Sequence, residues 1–151
     1  MMLCALSEAK GIDIKMKHYF VNFTNHPSDK WDENQKREAL KYGEILDIPF
    51  PAVDSQEDEA YIYRLSEKCT EQIMELHPRA VLCQGEFNVV YQIVNRLLRH
   101  GIIVLAGCSE RVVEEADGRK IVSYKFSRFR KYENPDIVCR GNGIEVSHLQ
   151  K

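Results

Sequence analysis

At 151 residues, 44% hydrophobic and 29% charged, the chain is long enough for one domain with a substantial core. A formal net charge of −2 and a pI near 6.2 argue against a protein that wraps duplex nucleic acid, though a local basic patch can act where the global charge does not. No apolar run approaches the length of a membrane span, and the N-terminal residues do not read as a secretory signal.

Residues 1–15 carry no clear pattern, and Met16-Lys17 resembles a natural start just ahead of the first strand. The expectation is an N-terminal extension, with a short packed helix as the other reading. His18–Thr24 is aromatic and β-branched, as a strand requires. Asn25-His26-Pro27-Ser28 ends it, because proline disfavours a helical conformation for His26. Ser28 or Asp29 can cap a first helix whose face carries Trp31, Gln35, Ala39 and Tyr42, with Gly43 as its stop.

Glu44–Phe50 reads as strand two, closed by Pro49 and Pro51. The acidic stretch Asp54–Glu59 begins a second helix, with Ile62, Leu65, Cys69, Ile73 and Leu76 at helical spacing. Arg79–Cys83 is a short buried strand. Gln84-Gly85-Glu86 follows, then a helix over Asn88–His100 with a strong apolar face, and a fourth strand over Ile102–Ala106. This alternation predicts an α/β fold, a Rossmann-like three-layer sandwich with a mostly parallel sheet in the order 2-1-3-4.

After strand four the pattern changes. Asp117-Gly118 separates two extended runs and predicts an antiparallel hairpin added to the sheet, with Val122, Tyr124 and Phe126 on one face. The α/β domain is therefore expected over 16–132. Residues 133–151 read as a tail, with a short strand near Gly143–Val146.

In an open α/β sheet, ligands bind beyond the carboxyl ends of the strands, where the strand order reverses. Four loops should converge there. The first offers Asn22, Thr24, Asn25, His26 and Ser28; the second Asp54 and Ser55; the third Gln84, Gly85, Glu86 and Asn88; the fourth Ser109, Glu110 and Arg111. With strands one and three adjacent, Asn25 and His26 would face Gln84 and Glu86. Each residue also has a structural reading. His26 can bond backbone, Glu86 can cap the third helix, Gly85 can serve a turn through a positive φ, Ser109 can accept turn hydrogen bonds, and Arg111 can be a solvated charge. Their convergence on one edge favours function.

Between 119 and 131, Arg119, Lys120, Lys125, Arg128, Arg130 and Lys131 occur without an acidic residue, interleaved with Phe126 and Phe129. This is either an edge strand protected by charge or an arm that binds phosphates, with aromatics available to stack on bases.

The five cysteines form no C-x-x-C pair, which fits reduced thiols and a cytoplasmic location. The glycine signatures of dinucleotide-binding and P-loop proteins are absent, as are a nucleophile-elbow serine motif and a clustered histidine set. No cofactor and no metal are expected.

Phe20–Ser28, Gln84-Gly85-Glu86 and Ser109–Val113, on a minimal α/β sheet with a basic hairpin, resemble the small Rossmann-like proteins of CRISPR defence systems, the CARF-type sensors and stand-alone ring nucleases. The resemblance covers about residues 16–132. It implies a homodimer that binds a cyclic oligoadenylate across its axis. In the ring nucleases a ribose 2′-hydroxyl attacks the adjacent phosphate without a metal. It would make His26 an acid or base, with Glu86 and Arg111 as further catalytic candidates. Ser28 and Ser109 would hold phosphate oxygens, Arg111, Arg128 or Arg130 would clamp the anion, and Asn25 and Gln84 would read adenine edges. Gly85 would admit the ligand close to the backbone. A non-catalytic sensor or sequestering protein with the same pocket is the alternative. A third reading is a glycosyl- or base-transferring nucleotide enzyme using Glu86 as its acid/base.

Overall fold

The structure, a computed structural model, describes residues 16–135. The expectations for residues 1–15 and for the strand near Gly143–Val146 lie outside the described residues. Five strands and three α-helices alternate along the chain. They are β1 (Tyr19–Phe23), α1 (Glu33–Leu40), β2 (Glu44–Ile48), α2 (Glu59–Met74), β3 (Pro78–Cys83), α3 (Phe87–Arg99), β4 (Ile103–Ala116) and β5 (Arg119–Lys131). They form one mixed sheet in the order β2-β1-β3-β4-β5, parallel except for the β4–β5 pair.

Strand parity splits the core in two, because successive side chains point to opposite faces. Phe20, Ala80, Leu82 and Leu105 meet Trp31 and Ala39 on the α1 side. Val21, Phe23, Val81, Cys83 and Val104 meet Cys69 and Ile73 of α2 and Val89, Ile93 and Leu97 of α3 on the other. The central strands are buried on both faces, which explains why Ala80–Cys83 and Val104–Leu105 are uninterrupted apolar runs. Crossover handedness then dictates the layers. The chain moves outward from β1 to β2 past α1, and returns across β1 to β3 and on to β4 past α2 and α3 on the opposite face.

Two expectations are corrected. The first helix is not capped by Ser28 or Asp29. Residues Ser28–Lys30 form a 3-10 turn, and α1 begins only after Asp32, whose side chain accepts the Gln35 N–H at 2.7 Å. The second helix likewise starts only at the last residue of the acidic stretch, Glu59, where the Asp58 carboxylate accepts the Tyr61 N–H at 3.0 Å.

The larger correction concerns strand four. No loop separates it from a following hairpin: Gly107–Arg111 lie inside β4, and β5 joins the sheet as its fifth strand. Only Ile103–Leu105 pair with β3, whereas the ladder with β5 runs from Leu105 to Ala116. The outer part of β4 and its partner therefore extend past the sheet as a two-stranded ribbon. Its turn is the Asp117-Gly118 pair, with φ of +51° and +71°, as a tight hairpin of this sequence demands. A register shift between Cys108 and Ser109 places one extra β5 residue, Ser127, at the ribbon's root.

Gly43, between α1 and β2, has φ +154°, and a β-carbon there would run into the His18 carbonyl, which accepts the Glu44 N–H at 2.9 Å. Replacing Gly43 with alanine should destabilise the fold by about 1–3 kcal/mol, read as a lower urea midpoint with an unchanged m-value.

Candidate ligand-binding site

The chain leaves β1 toward α1 on one face and leaves β3 toward α3 on the other. The two exits diverge, and a cleft opens between them on the α1 side. A cavity of about 600 Å³ lies here, lined by Asn25, His26 and Lys30 from the β1 loop, Gln84 from the end of β3, and Ser109 and Tyr124 from the root of the ribbon. Trp31, Leu82 and Phe126 are its apolar lining.

The β1 loop is shaped by a buried polar residue. Asn22 is 1% exposed, and its amide nitrogen donates to the His26 carbonyl and to Asp47 Oδ1, both at 2.9 Å. Its oxygen accepts from Thr24 Oγ1 at 2.8 Å, and Thr24 Oγ1 accepts the His26 N–H at 3.0 Å. The Trp31 indole N–H closes the set on the same His26 carbonyl at 3.1 Å. The backbone of His26 is thus held from several sides while its imidazole is exposed along the cavity.

Gln84 is oriented as well. Its Oε1 accepts the Gly107 N–H at 3.2 Å, and since only the oxygen can accept, Nε2 remains a donor at the cavity wall. Below, Phe20, Trp31, Phe126 and Phe129 form an aromatic cluster with ring centroids 4.8–6.3 Å apart in its contacting pairs, fastening the ribbon root to the β1 loop.

Five of the residues expected at the site therefore share one cavity: Thr24, Asn25, His26, Gln84 and Ser109. The others are placed elsewhere. Ser28 is bound to Asp47, which accepts from its backbone N–H and its hydroxyl at 3.0 Å. Gly85 does not have the positive φ its turn reading required; it is glycine because a β-carbon would enter the Phe50 ring, and that ring fills the space a ligand would need. Glu86 is the N-cap of α3, accepting from Val89 N–H and Asn88 Nδ2 at 2.9 Å each, and it borders a second depression with Asp54 and Ser55. Arg111 does not line the cavity, although Tyr124, which it pairs with by register, does. Arg128 and Arg130 flank a separate depression with Tyr42 and Glu133.

The protonation chemistry agrees with this division. Partial burial pulls the Glu86 carboxyl upward, but the Val89 and Asn88 donors outweigh it and hold the group below the usual carboxylate range. Burial raises the Cys69 thiol, and burial with the neighbouring Cys69 pushes Cys83 up to about 12, so neither thiol is a ready nucleophile. Among the described residues, no group of three or more His, Cys, Asp or Glu side chains could hold a metal ion. No helix among them is long and apolar enough to cross a membrane.

Lys30, Asp32, Gln35 and Tyr124 were not singled out from the sequence as site residues. The helix pattern placed Gln35 on one face with Trp31 and Ala39; it lines the cavity because the first turn of α1 borders the loop. The signal for Tyr124 was its alternation with Phe126: the two share a ribbon face, but only Phe126 reaches the core, and Tyr124 remains 71% exposed. Phe126 and Phe129 belong to the aromatic cluster, so their interleaving with basic residues is accounted for by packing.

Fold and cleft together define a small α/β protein with a polar cavity at the carboxyl edge of a largely parallel sheet. The chain belongs to the family described as Uncharacterized protein MJ1673, which it matches over residues 18–130, from just before β1 to nearly the end of β5. No curated protein matches the chain.

Two outcomes test the site's construction. Asn22→Ala would leave Asp47 and the His26 carbonyl short of a donor, costing about 1–3 kcal/mol in denaturant unfolding. Glu86→Ala should cost about 0.5–2 kcal/mol at neutral pH through the lost cap. Because the folded carboxyl is depressed, its contribution is present above the unfolded value and lost as pH falls through the folded one. The gap between variant and native chain should therefore narrow in acid, measured by paired unfolding curves.

Proposed function

We propose that the protein binds a small nucleotide or cyclic oligonucleotide in the cavity between the ends of β1 and β3. The observation that carries this reading is that Asn25, His26, Gln84 and Ser109 line one cavity of about 600 Å³, together with the Lys30 ammonium and the exposed Tyr124 ring. These groups suit the parts of a nucleotide. Lys30 and the Ser109 hydroxyl meet phosphate oxygens, the Gln84 amide donor and Asn25 meet base edges, and Tyr124 offers a face for stacking. In a Rossmann-like three-layer sandwich such a cleft at the strand switch point is the usual place for a ligand. The resemblance to CARF-type proteins favours a cyclic oligoadenylate, bound in the cytoplasm as part of a defence or signalling response, with no cofactor.

Two outcomes for the bound ligand follow from this chemistry. In a ring nuclease reaction the ribose 2′-oxygen would form a bond to the adjacent phosphorus as the bond to the 5′-oxygen breaks, leaving a 2′,3′-cyclic phosphate. His26 would take the 2′-hydroxyl proton or supply one to the departing oxygen, and Lys30 would offset charge on the phosphate. The second outcome is binding without cleavage, by a sensor or sequestering protein. It is favoured by the position of Glu86 and of Arg111, Arg128 and Arg130 outside the cavity lining, which leaves His26 with few helpers.

Calorimetric titration of the full chain with cyclic oligoadenylates of several ring sizes, linear oligoadenylate and AMP tests the reading. Binding of at least one is expected, with Gln84→Ala or Tyr124→Ala weakening it about tenfold. Absence of binding by every nucleotide would refute the proposal. Chromatography of the incubated ligand then separates the two outcomes. A cut product lost in His26→Ala, with affinity retained, supports catalysis, and intact ligand supports sequestration.

A further inference from the structure

The β4–β5 ribbon presents more apolar surface than an edge protected by charge needs. By register Val113 sits opposite Val122, and the next pair toward the sheet on the same face is Arg111 with Tyr124. Val113 is 44% exposed, Val122 42% and Tyr124 71%. Two residues toward the tip, Glu115 pairs with Lys120 on that face. The face is continuous with the cavity, since Ser109 and Phe126 form its innermost pair.

The order of groups along this face is self-complementary. About Val113, β4 carries Arg111 on one side and Glu115 on the other, each two residues away, or about 7 Å. About Val122, β5 carries Tyr124 and Lys120 in the same way. A two-fold axis through the Val113–Val122 pair, lying between two facing ribbons and perpendicular to the strands, sets valine on valine. It puts Arg111 against the partner's Glu115, and Tyr124 against the partner's Lys120. The six groups of these three pairs then each have a matching partner, an ion pair and a cation–π contact included, which is the condition for an isologous interface.

We infer that this ribbon face binds a second copy of the chain, and that the partner's Lys120 is thereby brought over Tyr124 at the mouth of the cavity. Each cavity then gains a cation from the other subunit, at the side where its own Arg111 falls short. The inference does not rest on the nucleotide reading, since the assembly forms without ligand.

Sedimentation of the full chain should give twice the 17.6 kDa chain mass at micromolar concentrations. Arg111→Glu and Glu115→Arg should each weaken association about a hundredfold by setting like charges face to face, and the double exchange Arg111→Glu/Glu115→Arg should restore it. Val122→Lys, at an exposed position, should dissociate the dimer by placing two ammonium groups beside the axis, and circular dichroism should show that it stays folded. A chain that sediments as a monomer throughout overturns the inference. So does a dimer that survives Val122→Lys, or single exchanges that the double exchange does not rescue.

Discussion

The cleft depends on one buried amide. Asn22 sits inside a strand whose neighbours in sequence are core residues, at a position as buried as theirs. Its amide instead joins the end of β1 to Asp47 of β2 and to the loop that carries His26. A buried polar group is tolerable only when satisfied, and here each of its atoms that can bond has a partner. The arrangement has a directional consequence. The loop cannot follow a shorter path over the sheet without breaking several bonds at once, so it stands back from β3 and the cleft stays open.

From that constraint the rest of the site follows by topology. β1 and β3 are neighbours whose exits go to opposite faces, so a space between them is unavoidable. Trp31 lines it and ties its indole N–H to the His26 carbonyl. The ribbon root borders it because Phe129 packs onto Phe20 and Trp31 and Phe126 onto Phe129, and Ser109 and Tyr124 are carried to its rim by the same strand pair.

The mixed α/β layout was legible because apolar periodicity and turn residues agree along most of the chain: Val81–Cys83 and Val104–Leu105 could only be buried strands, and Asp117-Gly118 could only be a tight turn. The placement of Asn25, His26 and Gln84 followed from expecting β1 beside β3. The assignment of Glu86 and Gly85 to the same pocket did not hold, because two residues of chain direction decide it. Gln84 still points to the α1 face, whereas Glu86 has already turned into the first turn of α3 on the other. The length of β4 was hidden for a different reason. Gly107 looks like a strand end, and nothing local says that pairing with β5 carries the strand on to Ala116. That is a long-range term, and so is the Phe50 ring, which explains Gly85 from 35 positions away.

The ribbon changes what the basic run means. Read along the chain, the cations between Arg119 and Lys131 look like one surface. On the strand they part: Arg119 and Lys125 alternate away from Lys120, and beyond the register shift Arg128 and Arg130 border a depression of their own. A single anion cannot meet them all within one subunit. The cavity itself has only Lys30 among its lining cations, too few for a ligand with several phosphates. The ribbon face that bears Lys120 runs directly into the cavity rim, so the proposed pairing of two ribbons would bring further charge there. The features that make the ribbon an exposed liability in one copy, its length, its valines and its alternating charges, are those on which the proposed pairing of two copies rests.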